Sequence, residues 1–311
     1  MKFIIFGTGG VGGYFGGRLA QAGEDVTFIA RGNHLRAMLD SGLRVDSILG
    51  DFSIYPARAA ETPQPAPAPD VILLAVKAWQ LNNAIAQIAP LVSENTVIIP
   101  LLNGMEHIDA LLRAFGSAHV LGGLCRISAF IAGAGHIQHV GIEPYLAFGE
   151  LDKTRSPRVE SLLRVFQKAS GITAEIPEDI QRAMWDKYLF ICAMGGVGAV
   201  TRQPIGVTRA IPPSRALLRQ ALEEGAGVAR ARGVEFTPAD VDAIMSRIDG
   251  LPPKMLASMQ KDMMEGRPSE LEAQNGAMTR MAKAAGAAAP LHEFIYGSLL
   301  PMEQAARNAN A

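Results

Sequence analysis

Six residues close to the start of the chain, Gly7-Thr8-Gly9-Gly10-Val11-Gly12, have the spacing G-x-G-x-x-G. They follow a short apolar run, Phe3–Gly7, and open a stretch rich in small residues. In a strand–turn–helix setting the first glycine permits a tight turn, and the second lets the backbone approach a pyrophosphate. The third lets the helix pack closely on the strand, and the helix N-terminus faces the phosphates. The pattern predicts a dinucleotide cofactor. Arg31 sharpens that prediction. A second strand-like run, Val26–Ala30, ends where an NAD site would carry a carboxylate for the ribose 2′-hydroxyl, yet no Asp or Glu occurs between Val26 and Leu39. A guanidinium at that point makes charge-assisted bonds to a 2′-phosphate, which predicts NADP(H). A solvated loop arginine is the plainer alternative.

Other candidates lie at the ends of predicted strands and on one apolar helix. Lys77 follows the run Val71–Val76, where its ammonium reaches the phosphate side of a nucleotide with Trp79 and Gln80 along the same edge. Asn103 follows Thr96–Leu102 and offers a donor and an acceptor at the crevice mouth. The bland readings are a solvated lysine and a turn-forming Asn-Gly pair. Met184–Val200 is apolar nearly all round, which predicts a buried helix. Near its start, Lys187 stands between Trp185 and Tyr188. A desolvated lysine becomes a competent proton donor near neutral pH, whereas a snorkelling lysine only covers apolar surface. Ser269 with Glu272 has capping-box spacing, and Glu270 suits the first turn of a helix. Ser258 reads locally as a helix-surface serine.

These groups need a scaffold of two kinds. The first half alternates strand-like and helix-like runs, as βαβ units of a mainly parallel sheet do. His119–Leu124 is expected to complete that series, and RISAFIA, HIQHV and YLAFGE read as short strands of an antiparallel extension. A proline-rich loop spans Pro56–Asp70. From about Pro177 the periodicity is helical, broken by Gly and Pro. The expected fold class is an α/β Rossmann-type dinucleotide-binding domain, residues 1–175, followed by an all-α substrate and catalytic domain, residues 176–311.

With 311 residues the chain is long enough for two cores. A net charge of −1 gives no electrostatic case for a nucleic-acid partner. No apolar run spans a bilayer, so no membrane partner is expected. Cys125 and Cys192 fit a reducing compartment and lack metal-site spacing. MKFIIFG is too short for a signal segment, so a cytoplasmic enzyme without a metal is expected.

Taken together, GTGGVGGYFGGRLAQAG, the arginine of FIARG, VKAWQ, LLNGM, WDK, and Ser258 with SELEAQNG resemble the ketopantoate reductase (2-dehydropantoate 2-reductase) family along nearly the whole chain. The resemblance implies an NADPH-dependent reductase of pantothenate biosynthesis, with a 2-oxo acid bound in a cleft between a Rossmann and a helical domain. It implies Lys187 as general acid on the carbonyl oxygen, and Glu270 as a contact that helps set the lysine's charge. Ser258 then meets the substrate carboxylate, and Asn103 meets both nicotinamide and substrate. Arg31 and Lys77 serve the phosphate end of NADP, and Ser128 approaches the cofactor through its backbone. One departure concerns the substrate. Where the pantoate-forming enzymes carry three pocket asparagines, this chain has Ile191, Gly195 and Ile205. A more apolar 2-oxo acid, or a non-catalytic NADP-binding sensor, are the alternatives this leaves. Apolar faces on the second domain are compatible with a homodimer.

Overall fold

The computed structural model describes residues 1–64 and 67–309. Pro65 and Ala66 of the expected proline-rich loop lie outside the described residues. Contacts divide the chain into two units: Met1–Leu102 with His107–Ile180, and Asn103–Glu106 with Gln181–Ala311.

In chain order the first unit contains β1 (Lys2–Phe6), α1 (Gly10–Gln21), β2 (Asp25–Ile29), α2 (Gly32–Ser41), β3 (Leu43–Ser47), β4 (Phe52–Ile54), β5 (Ala59–Ala60) and β6 (Val71–Leu74). It continues with α3 (Leu81–Ile88), β7 (Val97–Pro100), α4 (Glu106–Phe115), β8 (Gly122–Gly133), β9 (His136–Gly149), α5 (Pro157–Lys168) and β10 (Thr173–Glu175). One sheet runs β5-β2-β1-β6-β7, with every pairing parallel. Its central strands are continuous apolar runs because helices and a second sheet cover them on both faces. The chain moves outward from β1 through β2 and then returns to the other side at β6. The strand order therefore reverses beside β1, and ligands bind outside the carboxyl ends of strands at such a point.

The second sheet differs from expectation. Its order is β10-β9-β3-β4, with β8 antiparallel to β9. HIQHV and YLAFGE form one 14-residue strand rather than two short ones. The ladder between β8 and β9 changes register twice, between Arg126 and Ser128 and between Ile131 and Gly133, which bends the hairpin locally. His119–Leu124 does not complete the parallel series. Only Val120 bridges to Ile98, and at Gly122 the chain passes into the second sheet. A Cβ at Gly123 would stand 2.4 Å from the Pro100 carbonyl oxygen, so this crossing needs residues without side chains. Strand β3 alternates apolar with charged residues and lacks the continuous apolar run of the first sheet, while β4, and β5 within the expected loop, are too short to stand out by pattern alone.

The small residues of α1 have a packing cause. Gly16 lies against Ile5 and Phe28 of the first sheet, while Gly13 and Gly17 lie against Ile137 and Phe52 of the second. The helix is held between two sheets, and larger side chains would separate them.

The second unit is helical: α6 (Ile180–Thr201), α7 (Ile205–Ala210), α8 (Pro212–Ala231), α9 (Pro238–Asp249), α10 (Ser258–Met264), a π-turn at Glu272–Gly276, α11 (Ala277–Ala284) and α12 (Pro290–Ala309). Among the described residues no helix is long and apolar enough to cross a membrane. A buried polar chain ties four of these elements together. The His292 Nε2–H donates to the Ala221 carbonyl at 2.9 Å, and its Nδ1 accepts from Asn275 Nδ2 at 3.0 Å. Asn275 Nδ2 also reaches the Cys192 carbonyl at 3.4 Å.

Burial holds His292 below the usual histidine range. Above about pH 6.5 both folded and unfolded chains carry it neutral. Below that, the unfolded chain binds a proton that the folded chain refuses, so stability is lost as pH falls toward the folded value. The melting temperature should drop by about 2–4 °C for each kcal/mol lost. Melting curves at pH 7.5 and 5.5, compared with those of His292→Gln, check this; the variant should show the smaller difference.

Candidate active site

The glycine turn follows β1 at the point where strand order reverses, and each glycine has a separate geometric task. Gly7 takes φ +102°, and a Cβ there would stand 2.8 Å from the Ala75 carbonyl oxygen, just past β6. Gly9 has nothing within 4 Å of its Cβ position. That is the open approach a pyrophosphate requires. Gly12 packs the helix down, its Cβ position being 2.2 Å from the Gly7 carbonyl oxygen. Gly10 faces β8, with its Cβ position only 2.1 Å from the Ala129 carbonyl oxygen. Ser128, exposed on β8, therefore flanks the start of α1. Thr8 is buried, and its N–H and hydroxyl both donate to the Ile29 carbonyl, at 3.0 and 2.9 Å, tying the turn to β2. Val11 is partly buried and packs against the core.

Arg31 is exposed and caps the start of α2 in an extended conformation. Lys77 follows β6, with its ammonium 5.8 Å from the centre of the Trp79 ring and its N–H donating to Gln80 Oε1 at 3.1 Å. Because β2 and β6 flank β1, the two cations stand on either side of the glycine turn. These residues fit a dinucleotide: an open glycine, a helix N-terminus and cations at the flanking strand ends. His34 is a neighbour that sequence reasoning missed. Its Nδ1 accepts from the Gly135 N–H at 3.0 Å, and burial lowers its pKa. This joins α2 to the β8–β9 turn beside Arg31. Only the 101-residue contact reveals it.

In the second unit, Asn103 Nδ2 donates to Glu270 Oε2 at 2.8 Å across 167 residues of sequence. The turn reading of Asn103-Gly104 holds as well. Gly104 has φ +100°, and a Cβ there would lie 2.7 Å from the Ala273 carbonyl oxygen. Glu270 is buried and lies two residues before the π-turn. A π-turn widens the helix by one residue and is frequent at functional sites. Lys187 is half-buried in the second turn of α6, between buried Trp185 and Tyr188. Ser258 is the exposed first residue of α10.

The expected reciprocal capping box at Ser269 and Glu272 does not form. Ser269 Oγ accepts from the Leu271 N–H at 3.2 Å, but Glu272 turns to the Tyr296 hydroxyl at 2.7 Å and to Arg280 at 3.0 Å. Ser269 is fully buried and bonds instead to Glu303, a residue the sequence did not single out. The three apolar positions have distinct surroundings. Ile191 is half-buried, Ile205 opens α7 in the core, and Gly195 lies under Gln274. A Cβ at Gly195 would come within 3.3 Å of Gln274 Oε1, so a neighbouring amide already takes that space.

Comparison with known proteins agrees with this architecture. The family model described as ketopantoate reductase PanE/ApbA matches residues 3–153, and its C-terminal counterpart matches residues 179–303. An uncharacterized oxidoreductase, YkpB, of Bacillus subtilis (strain 168) is 35% identical, covering 96% of this chain and 98% of its own. A 2-dehydropantoate 2-reductase of Mesorhizobium japonicum is 31% identical, with 91% and 92% covered. The crystal structure of a PanE/ApbA family ketopantoate reductase from Ralstonia eutropha JMP134 superposes with a TM-score of 0.88 at 28% identity, over 99% of this chain and 100% of that one. Two family models in chain order, relatives aligned nearly end to end and a shared fold in both units lead to one conclusion: the chain belongs to the ketopantoate reductase family, oxidoreductases that act on CH–OH groups.

Proposed function

We propose that this protein reduces 2-dehydropantoate to pantoate, with NADPH as hydride donor. The observation that carries the reading is the buried Glu270 carboxylate held by the Asn103 amide, in a chain that also keeps a half-buried lysine on an apolar helix. A nicotinamide cofactor supplies the hydride. The chain's own groups manage charge and position. As the carbonyl oxygen gains negative charge, Lys187 Nζ gives it a proton. Glu270 orients Asn103 and sets the electrostatic field around the lysine. The Ser258 hydroxyl accommodates the acid end, and Asn103 keeps its amide oxygen for a second partner while its nitrogen is held. Arg31 and Lys77 receive the phosphates, with Ser128 lending backbone contacts.

Arg31→Ala should weaken NADPH by about 10- to 100-fold, the worth of about 1.5–3 kcal/mol for bonds to a charged group, and leave NADH nearly unchanged. Titration of each nucleotide by fluorescence checks this. Equal loss for both nucleotides would remove Arg31 from the 2′-phosphate site.

A second reading, a paralogue for a more apolar 2-oxo acid, is favoured by Ile191 and Ile205. A site lacking hydrogen-bond partners for a substrate hydroxyl discriminates against it strongly. The test is NADPH oxidation measured with ketopantoate beside 2-oxo acids of equal size without the hydroxyl. Saturable turnover fastest with ketopantoate supports the first reading. Preference for the plain acids moves the assignment to the second, and tight NADPH binding with no turnover of any acid moves it to a sensor.

A further inference from the structure

Ser269 directly precedes Glu270 and is fully buried. Its N–H donates to both carboxylate oxygens of Glu303, at 3.1 and 3.0 Å, and its hydroxyl donates to Glu303 Oε2 at 2.5 Å. The Ser269 carbonyl accepts from Arg307 Nη2 at 3.0 Å. Arg307 pairs with Glu303 at 2.7 Å, one turn apart on α12. Every polar atom of Ser269 is thus tied to two side chains of the last helix.

Glu303 is only 2% exposed. Taking a carboxylate and part of a guanidinium out of water is costly, and apolar residues of similar volume usually pack as well or better. What the charged pair adds is geometry, since two donors of one residue making three hydrogen bonds, together with a matched cation, leave Ser269 a single orientation. The next side chain is Glu270. Its direction follows from the peptide that joins it to Ser269, and its carboxylate meets Asn103.

We propose that Glu303 and Arg307 are positioning residues that aim Glu270 at Asn103. This rests on the reading of Glu270 as a member of the active site. Glu303→Gln keeps an acceptor for Ser269 but loses the charge and the second oxygen.

The experiment is a double-mutant cycle with the full-length protein, NADPH and the 2-oxo acid turned over fastest. It compares wild type, Glu303→Gln, Glu270→Gln and the double variant, with kcat, KM and melting temperature read for each. Glu303→Gln should lower kcat about tenfold with the KM for NADPH unchanged, and it should lower kcat no further once Glu270 is already glutamine. A general structural role would reduce activity by the same factor in both backgrounds, and that result overturns the proposal. So does wild-type kcat in Glu303→Gln. Wild-type kcat in Glu270→Gln sinks the reading of Glu270 itself, and the clamp's role with it. Ser269→Ala removes the hydroxyl bond but keeps both N–H bonds, so its kcat should fall between wild type and Glu303→Gln. It serves where Glu303→Gln does not accumulate folded.

Discussion

Lys187→Ala is expected to lower kcat by about 10²–10⁴-fold, the usual worth of a positioned proton donor, and to leave NADPH affinity unchanged. The lysine sits near the start of a largely buried helix, on a face where Ala183, Asp186, Phe190 and Ile191 are half-buried, with Trp185 and Tyr188 as buried neighbours. A cation in such a place is a poor choice for packing, because its stem is flexible and its head must be kept solvated. The glycine turn and Arg31 belong to the first unit, and Lys187 to the second. Lys187→Arg separates the two parts of its role. Arginine keeps the positive charge but does not release its proton in the working range. If charge alone stabilises the developing oxyanion, the arginine variant retains most of the activity. If proton donation dominates, it is nearly as slow as alanine. Steady-state kinetics with both variants, alongside NADPH titration, decides this, and wild-type kcat in Lys187→Ala would remove the lysine from the reaction.

The second large effect concerns two adjacent glycines whose substitutions should fail in opposite ways. Gly9→Ala adds a methyl group where nothing lies within 4 Å, at a backbone conformation of φ −88° that alanine adopts readily. Stability should hardly change, whereas the methyl group stands where the pyrophosphate backbone contact belongs. A loss of about 1.4–2.8 kcal/mol in binding, or tenfold to a hundredfold in Kd, is the expected scale. Gly10→Ala places its Cβ 2.1 Å from the Ala129 carbonyl oxygen, with the Phe130 nitrogen at 2.7 Å. Those are backbone atoms of a paired strand, so they cannot rotate aside. Overpacking of this kind costs about 1–3 kcal/mol or more, and this variant should melt well below wild type. Thermal melting without nucleotide and fluorescence titration with it distinguish the two. Equal melting temperatures would mean that β8 shifts freely at Ala129.

The glycine pattern made the turn after β1 legible because its requirements are local: a turn, an open approach and a helix start lie within six residues. The helical period did the same for α6, since a largely apolar helix with its charges gathered near the start is visible without any partner. The family's motifs, read in order, put Asn103 and Glu270 in one site although no local pattern joins them.

The remainder was decided by contacts between distant residues. Position 10 is an unspecified place in the G-x-G-x-x-G pattern, and only the passage of β8 over α1 closes it to a side chain. Ser269 and Glu272 have the spacing of a capping box, but the π-turn and the buried carboxylate 34 residues away take the serine, and Tyr296 and Arg280 take the glutamate. The Val120 segment has strand-like composition, yet a single bridge to Ile98 is all it forms before the chain leaves for the second sheet. The sequence by itself determined the local geometry that a phosphate-binding turn and a buried helix need, because backbone conformation and hydrophobic period are written in neighbouring residues. Tertiary structure decided which donor meets which acceptor, because a buried polar group takes its partner from whatever the fold brings within about 3 Å, and sequence spacing does not encode that distance.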